Sequence, residues 1–228
     1  MIRGYIFDYG GTLDTGGNHW GKVIWHAYER VGVPVDEALY REAYVYGERT
    51  LGRNPIIQPN FTFRQTLEQK ISLQLDFIES KCPEVTRAKY GEQLLDDLYI
   101  RTCEETTRSR NVLLQLHERF PMVLVSNFYG NIATVLREFS LDGIFQQIVE
   151  SAVVGIRKPD PRIFTLGVEA LDLDPSDVVV VGDSIDKDII PARQAGCHTM
   201  WFKGEGWTSD PVDESAADRI ITNLTELL

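Results

Sequence analysis

An α/β fold, a parallel sheet interrupted by a helical insertion, is what this sequence predicts, on three observations. Short apolar runs at Ile6-Phe7, Met122–Val125 and Val178–Val181 each lead into polar or acidic residues. Such runs suit strands buried on both faces that deliver side chains to one edge of a sheet. Between the first and second runs, from residue 16 to about 110, the apolar residues recur at helical spacing. The length of 228 residues suits one α/β domain plus a small insertion.

Composition narrows the partners. An apolar share of 43% and a charged share of 25% are those of an ordinary globular chain. The net charge of −11 argues against nucleic acid, which needs a cationic face. A small phosphorylated metabolite remains compatible, provided that a local lysine, a metal ion and backbone donors offset the field. Cys82, Cys103 and Cys197 lie far apart without metal-ligand spacing and read as free thiols. The chain enters its first strand by Ile2, so no signal peptide is expected, and a cytoplasmic location is. No apolar run approaches ~20 residues, so no membrane partner is expected.

Taken in order, the first strand ends at Asp8, and Tyr9-Gly10-Gly11-Thr12-Leu13-Asp14 follows. Ligands of open α/β sheets bind at that end of the strands, and glycines let backbone N–H groups approach an anion there. Asp8 is read as a nucleophile for a phosphoryl group. A plain turn aspartate is the other reading of the same residues. Thr15-Gly16-Gly17-Asn18 is a polar hinge. Beyond it Trp20, Val23, Ile24, Ala27, Tyr28 and Val31 form one stripe. Gly32 and Pro34 end that helix, and Asp36 caps the next, expected to run to about Glu48. Gly52–Pro55 and Gln58–Asn60 mark a loop. Thr62 caps a third helix with Phe63, Leu67, Ile71, Leu75 and Ile78 inward, and Lys81–Glu84 breaks it. A fourth carries Leu94, Leu95, Leu98 and Tyr99. Four such helices bury a common core as a bundle. Arg49, Arg53 and Arg64 read as solvated cations rather than contacts to a second anionic group.

The sheet resumes after a helix near Val112–Phe120. The strand from Met122 sets Ser126 and Asn127 beside Asp8. A helix starting at Gly130 or Asn131 and a strand near Ile144–Val149 follow. In Lys158-Pro159-Asp160-Pro161, Pro159 keeps Lys158 out of helix, and Asp160 and Pro161 suit a helix start. Val178–Val181 then leads to Gly182-Asp183-Ser184-Ile185-Asp186-Lys187-Asp188. Carboxylates at adjacent strand ends, Asp8 and Asp183, repel unless a cation joins them. A hard divalent ion answers that, Mg²⁺ first. Asp186 reads as solvated. A helix, Gly196 and a strand from His198 come next. From Gly204 onward a short strand at Ile220–Ile221 and a terminal helix are expected, without chemistry.

These stretches, in this order, resemble the four motifs of the haloacid dehalogenase (HAD) superfamily: Asp8–Asp14, the strand ending at Ser126, Lys158 before Pro159-Asp160-Pro161, and Gly182-Asp183-Ser184 with Asp188. The resemblance implies a Rossmann-like parallel-sheet core, residues 1–15 and 111–228, and an inserted α-helical bundle cap, residues 16–110, closing over the site. It implies catalytic roles for Asp8, Ser126 and Lys158. Gly11, Ser126, Asn127 and Lys158 would surround the phosphate. Mg²⁺ would sit on Asp8, the Gly10 carbonyl and Asp183, with Asp188 behind them. One position departs from the pattern. Gly10 stands where phosphatases of the superfamily carry an acid–base Asp, its dehalogenases Tyr and its phosphonate hydrolases Ala.

The function expected on that resemblance is a Mg-dependent phosphatase acting on a small phosphorylated metabolite through an aspartyl-phosphate, as monomer or homodimer. Two alternatives stay open: a non-catalytic phosphate-binding or regulatory protein, and a 2-haloacid dehalogenase-type hydrolase. Against the last, Tyr9 comes one place early, so its side chain points to the other face of the strand. His19, close in sequence to Asp8, is the candidate substitute acid, although a surface or core-edge position suits it better.

Overall fold

The computed structural model describes all 228 residues. Six strands are present: β1 Gly4–Phe7, β2 Met122–Ser126, β3 Gln147–Glu150, β4 Val178–Gly182, β5 His198–Phe202 and β6 Arg219–Ile221. They form one parallel sheet in the order β3-β2-β1-β4-β5-β6. The three apolar runs occupy its middle. Phe7 is level with Leu124 on one side and Val181 on the other, so Asp8, Ser126 and Asp183 leave the sheet at one edge. Every residue of β2 and β4 is buried. Each valine of β4 contributes about 1.5–3 kcal/mol by leaving water. Alternation divides the core. Tyr5, Phe7, Val179 and Val181 face one layer, Ile6, Val178 and Val180 the other.

The insertion is helical, as expected: α1 Trp20–Val31, α2 Glu37–Arg53, α3 Phe63–Glu79 and α4 Arg87–His117. Gly32 ends α1 at φ 74°, a left-handed conformation that favours glycine. Asp36 caps α2 by accepting the Leu39 N–H, and Thr62 with Gln65 forms a capping box on α3. Two lengths differ from expectation. α2 continues past Glu48 to Arg53, and α4 runs 31 residues without a break. No Gly or Pro lies between Glu92 and His117 to stop it. One rod therefore joins the bundle to the sheet, and Ser109 anchors it by donating to the Leu13 carbonyl at 2.8 Å.

The remaining helices are α5 Ile132–Glu138, α6 Ser151–Val154, α7 Arg162–Leu171 and α8 Ile190–Gln194. β3 begins at Gln147 rather than Ile144, because Ile144 and Phe145 are buried in the turn before it. Asn131 precedes α5 without capping it. Glu150 accepts the Gly130 and Ile132 N–H groups instead. α8 is short because Ile185–Ile189 forms a wider helical turn. The chain ends in a single 3₁₀ turn, Leu224–Leu227, instead of a longer helix. The three cysteines are free, and no helix is long and apolar enough to cross a membrane.

The stretch after β5 ties the sheet to the insertion. Trp207 lies against α1 at Gly21, where a Cβ would overlap its ring. It also packs on Tyr44 and His19, with ring centroids 4.9 and 5.4 Å away. The Arg41 guanidinium sits 4.1 Å from its ring centroid and donates to its carbonyl at 2.7 Å. Glu205 meets His26 at 2.7 Å.

Candidate active site

At the edge where β1 ends, Lys158 donates to Asp8 Oδ1 at 2.6 Å and to Asp188 Oδ1 at 2.7 Å. All three side chains are almost fully buried. The Thr12 hydroxyl lies between Asp8 Oδ2 at 3.1 Å and Asp183 Oδ1 at 3.2 Å and donates to one at a time. Asp188 Oδ2 accepts the Ser184 N–H at 3.0 Å. Carboxylate oxygens of Asp8, Asp183 and Asp188 lie within 4.8 Å of one another. Two glycines permit this crowding. Gly11 has φ 102°, and a Cβ there would stand 2.5 Å from both Asp183 oxygens. A Cβ on Gly182 would overlap Asp188.

Charge in this cluster is unbalanced. Burial pushes Asp8 up to about 6, even with Lys158 opposing it. Burial, Asp188 and Asp8 together hold Asp183 well above the usual carboxylate range. Burial would lower Lys158, but Asp188 and Asp8 outweigh it and raise the ammonium's pKa. Two buried carboxylates, Asp8 and Asp188, and the half-buried Asp183 thus share one ammonium. An oxygen-only donor set of that charge fits a hard divalent cation, which would relieve the repulsion.

The other expected residues divide. Ser126 Oγ is buried and has no hydrogen-bond partner, so its hydroxyl is free to meet a ligand. Asn127 is occupied. Its Oδ1 accepts the Lys158 N–H at 2.9 Å and its Nδ2 donates to the Lys158 carbonyl at 3.1 Å. Its side chain thereby positions the Lys158 backbone, with the second Nδ2 hydrogen uncommitted. The Gly11 N–H is likewise engaged, donating to Asp14 Oδ1 at 2.7 Å. Asp186 is exposed. Arg64 pairs with Asp96 at 2.6 Å, and Arg49 and Arg53 line an outer groove with Arg41, Phe77 and Trp207.

Gly10 leaves its side open, with Trp20 Nε1 the nearest atom to an added Cβ at 4.0 Å. Tyr9 packs edge-on against Phe128, its hydroxyl buried without a partner on the face away from Asp8. His19 Nδ1 accepts the Gly21 N–H at 3.0 Å. Burial, then the charge of Lys187, push its pKa down to about 4. The imidazole is therefore neutral at pH 7 and holds no acid proton of the needed strength.

Sequence reasoning gave no individual role at the site to Thr12, Asp14 or Trp20. Thr12 had a signal, a hydroxyl one turn after the strand-end carboxylate. Asp14 and Trp20 had none, because nothing in an apolar-stripe tryptophan marks its indole N–H for a carboxylate six residues earlier. Trp20 Nε1 donates to Asp14 Oδ2 at 3.0 Å, and burial raises Asp14 to about 7 despite that bond and the one from Gly11.

Residues 2–196 match a family model described as haloacid dehalogenase-like hydrolase. A phosphoserine phosphatase of Thermus thermophilus is 35% identical over 216 residues, covering 91% of this chain and 76% of that protein. A glyceraldehyde 3-phosphate phosphatase of Pyrococcus furiosus is 36% identical over 89 residues, 39% of this chain, and the match spans only 37% of its length. In fold, the chain is similar to the HAD-hydrolase YfnB of Bacillus subtilis, solved with magnesium. The TM-score is 0.60 at 19% identity, over 99% of this chain and 96% of that one.

Proposed function

The chain belongs to the haloacid dehalogenase-like hydrolases, and from that premise we propose that it is a phosphatase of small phosphorylated metabolites, with Asp8 as nucleophile and Mg²⁺ as cofactor. The observation that carries this reading is the buried Asp8 carboxylate, held by Lys158 and Thr12 beside the unpartnered Ser126 hydroxyl.

In the first step an Asp8 oxygen attacks phosphorus in line. The Asp8–phosphorus bond forms while the bond to the leaving oxygen breaks. Lys158 neutralises charge on Asp8 and the phosphoryl group, and the Ser126 O–H donates to a phosphoryl oxygen. Stabilisation of this kind is mostly positioning and electrostatics. A divalent cation on Asp8, Asp183 and the Gly10 carbonyl, with Asp188 behind them, would supply Lewis-acid charge neutralisation. Asn127 keeps Lys158 in register, and Thr12 holds Asp8 and Asp183 at their spacing.

Proton transfer is the weak step. Gly10 has no carboxyl to protonate the leaving oxygen or to activate the second-step water. Its absence costs about 10²–10⁴ in rate. The open side at Gly10 has room for water, which would exchange those protons slowly. Good leaving groups then fare best, and the aspartyl-phosphate decays slowly. Gly10 also favours a second reading, a phosphate-binding protein with little turnover. Tyr9, turned away from Asp8, speaks against dehalogenation.

The test is phosphate release from phosphoesters and acyl phosphates, with and without Mg²⁺, with Asp8→Asn as blank. Mg-dependent release lost in Asp8→Asn is expected. Ligand binding without release would favour the second reading.

A further inference from the structure

The outer side of the helical insertion carries a groove of about 750 Å³ along α2, lined among others by Arg41, Tyr46, Arg49, Arg53, Phe77 and Trp207. Arg41, Arg49 and Arg53 follow one another in steps of four along the helix, and Tyr46 stands in the adjoining row. The opposite side of α2 carries Tyr40, Ala43, Tyr44, Gly47 and Leu51, all buried in the bundle. The groove therefore faces away from the bundle core. None of Asp8, Ser126, Lys158 or Asp183 lines it.

The whole chain has a net charge of −11, yet cations prevail in this groove. Its one carboxylate, Glu42, is taken by Lys81, and Arg41 pairs with Glu37. Arg49 and Arg53, read from the sequence as solvated cations, are exposed one turn apart and meet no carboxylate. Arg53 complements the C-terminus of α2, but Arg49 lies a turn further in, where that effect has faded. Two free guanidinium forks side by side repel each other until an anion joins them, and phosphate oxygens match their geometry. Tyr46 comes three residues before Arg49 on the same face. Its ring is backed by Phe77, with centroids 5.0 Å apart, and still 44% of the residue is exposed. An aromatic surface thus lies open beside the two free cations.

We propose that this groove is a second ligand site, separate from the Asp8 cluster, and that it binds a nucleoside diphosphate. The base stacks on Tyr46, and the phosphates lie between Arg49 and Arg53. Tyr46 and Arg53 are two turns apart, ~10 Å along the helix axis, which leaves room for a ribose between base and phosphates. The groove's volume falls among those of small-molecule sites. Simpler anions match it less well. Inorganic phosphate or a sugar phosphate would meet the arginines and leave the aromatic surface in water. A nucleic-acid strand would be repelled by the rest of the chain. The site goes beyond the phosphatase reading and does not depend on it.

The test is calorimetric titration with ADP, inorganic pyrophosphate and ribose 5-phosphate, with EDTA present so that no cation draws anions to the Asp8 cluster. ADP is expected to bind at least about tenfold tighter than either, the scale of one stacked base. Arg49→Gln and Arg53→Gln should each weaken ADP by about tenfold, the scale of a hydrogen bond to a charged group. Tyr46→Ala should bring ADP down to the affinity of pyrophosphate. All three side chains are exposed, so the variants should melt with the unaltered chain. Ser126→Ala should bind ADP as the unaltered chain does. No binding of ADP, equal affinity for ADP and pyrophosphate, arginine variants that bind ADP undiminished, or loss of ADP in Ser126→Ala would overturn the assignment.

Discussion

Trp20 Nε1 stands 4.0 Å from the point that a Cβ on Gly10 would occupy, and no other atom outside the adjoining residues comes closer. The volume of the missing carboxylate is therefore kept and left unfilled, next to an indole N–H already committed to Asp14. Gly10→Asp adds its Cβ without overlap. Phosphate release in Mg²⁺ at pH 7 should rise by about 10²–10⁴, the usual worth of a general acid–base group. An unchanged initial rate would mean that proton transfer does not limit this protein.

Thr12 sits between the two carboxylates that flank the expected metal position. Thr12→Val removes the shared hydroxyl at almost constant volume. Mg²⁺ affinity, followed by tryptophan fluorescence, should fall by about 10-fold or more, as for other groups that orient metal ligands. Affinity within twofold of the unaltered chain would contradict that role.

The Trp207 tie to the insertion depends on contact at Gly21, where any Cβ enters the indole ring. Gly21→Ala should destabilise the fold by about 1–3 kcal/mol through overpacking. Urea unfolding measures it, and an unchanged midpoint would show that the loop gives way freely.

His26 gives the same region a pH dependence. Hydrogen bonds that its ring N–H groups donate to the Glu205 and Glu29 carboxylates raise its folded pKa above 6.5. Protonation is thus favoured in the folded chain. The added stability is full below the unfolded value and is lost as pH rises through the folded one. His26→Gln should lower the melting temperature clearly at pH 6 and little at pH 9. An equal loss at both would assign the effect to packing.

Much of this was legible in sequence because strand ends are local. The apolar runs before Asp8, Ser126 and Asp183 fixed which faces were buried and which edge was functional. Lys158 carried its own proline-marked context. What depended on long-range folding was not legible. Asn127 has no sequence signal for gripping the Lys158 backbone. The Gly11 N–H was expected at phosphate, yet Asp14 takes it once the turn closes. Trp207 read as featureless loop, because its partners Tyr44 and His19 come from the other end of the chain. Glu48 and Lys70, 22 residues apart, meet only because α2 and α3 pack side by side.

The most direct test of the central claim is mass spectrometry of the chain after brief incubation with acetyl phosphate and Mg²⁺. With Asp8 as nucleophile and no carboxyl at Gly10 to drive hydrolysis, the covalent intermediate should accumulate. The predicted result is a gain of one phosphoryl group mapped to Asp8, absent in Asp8→Asn and reduced in Gly10→Asp. A phosphoryl group on another residue, or phosphate release by Asp8→Asn at the unaltered rate, would contradict it.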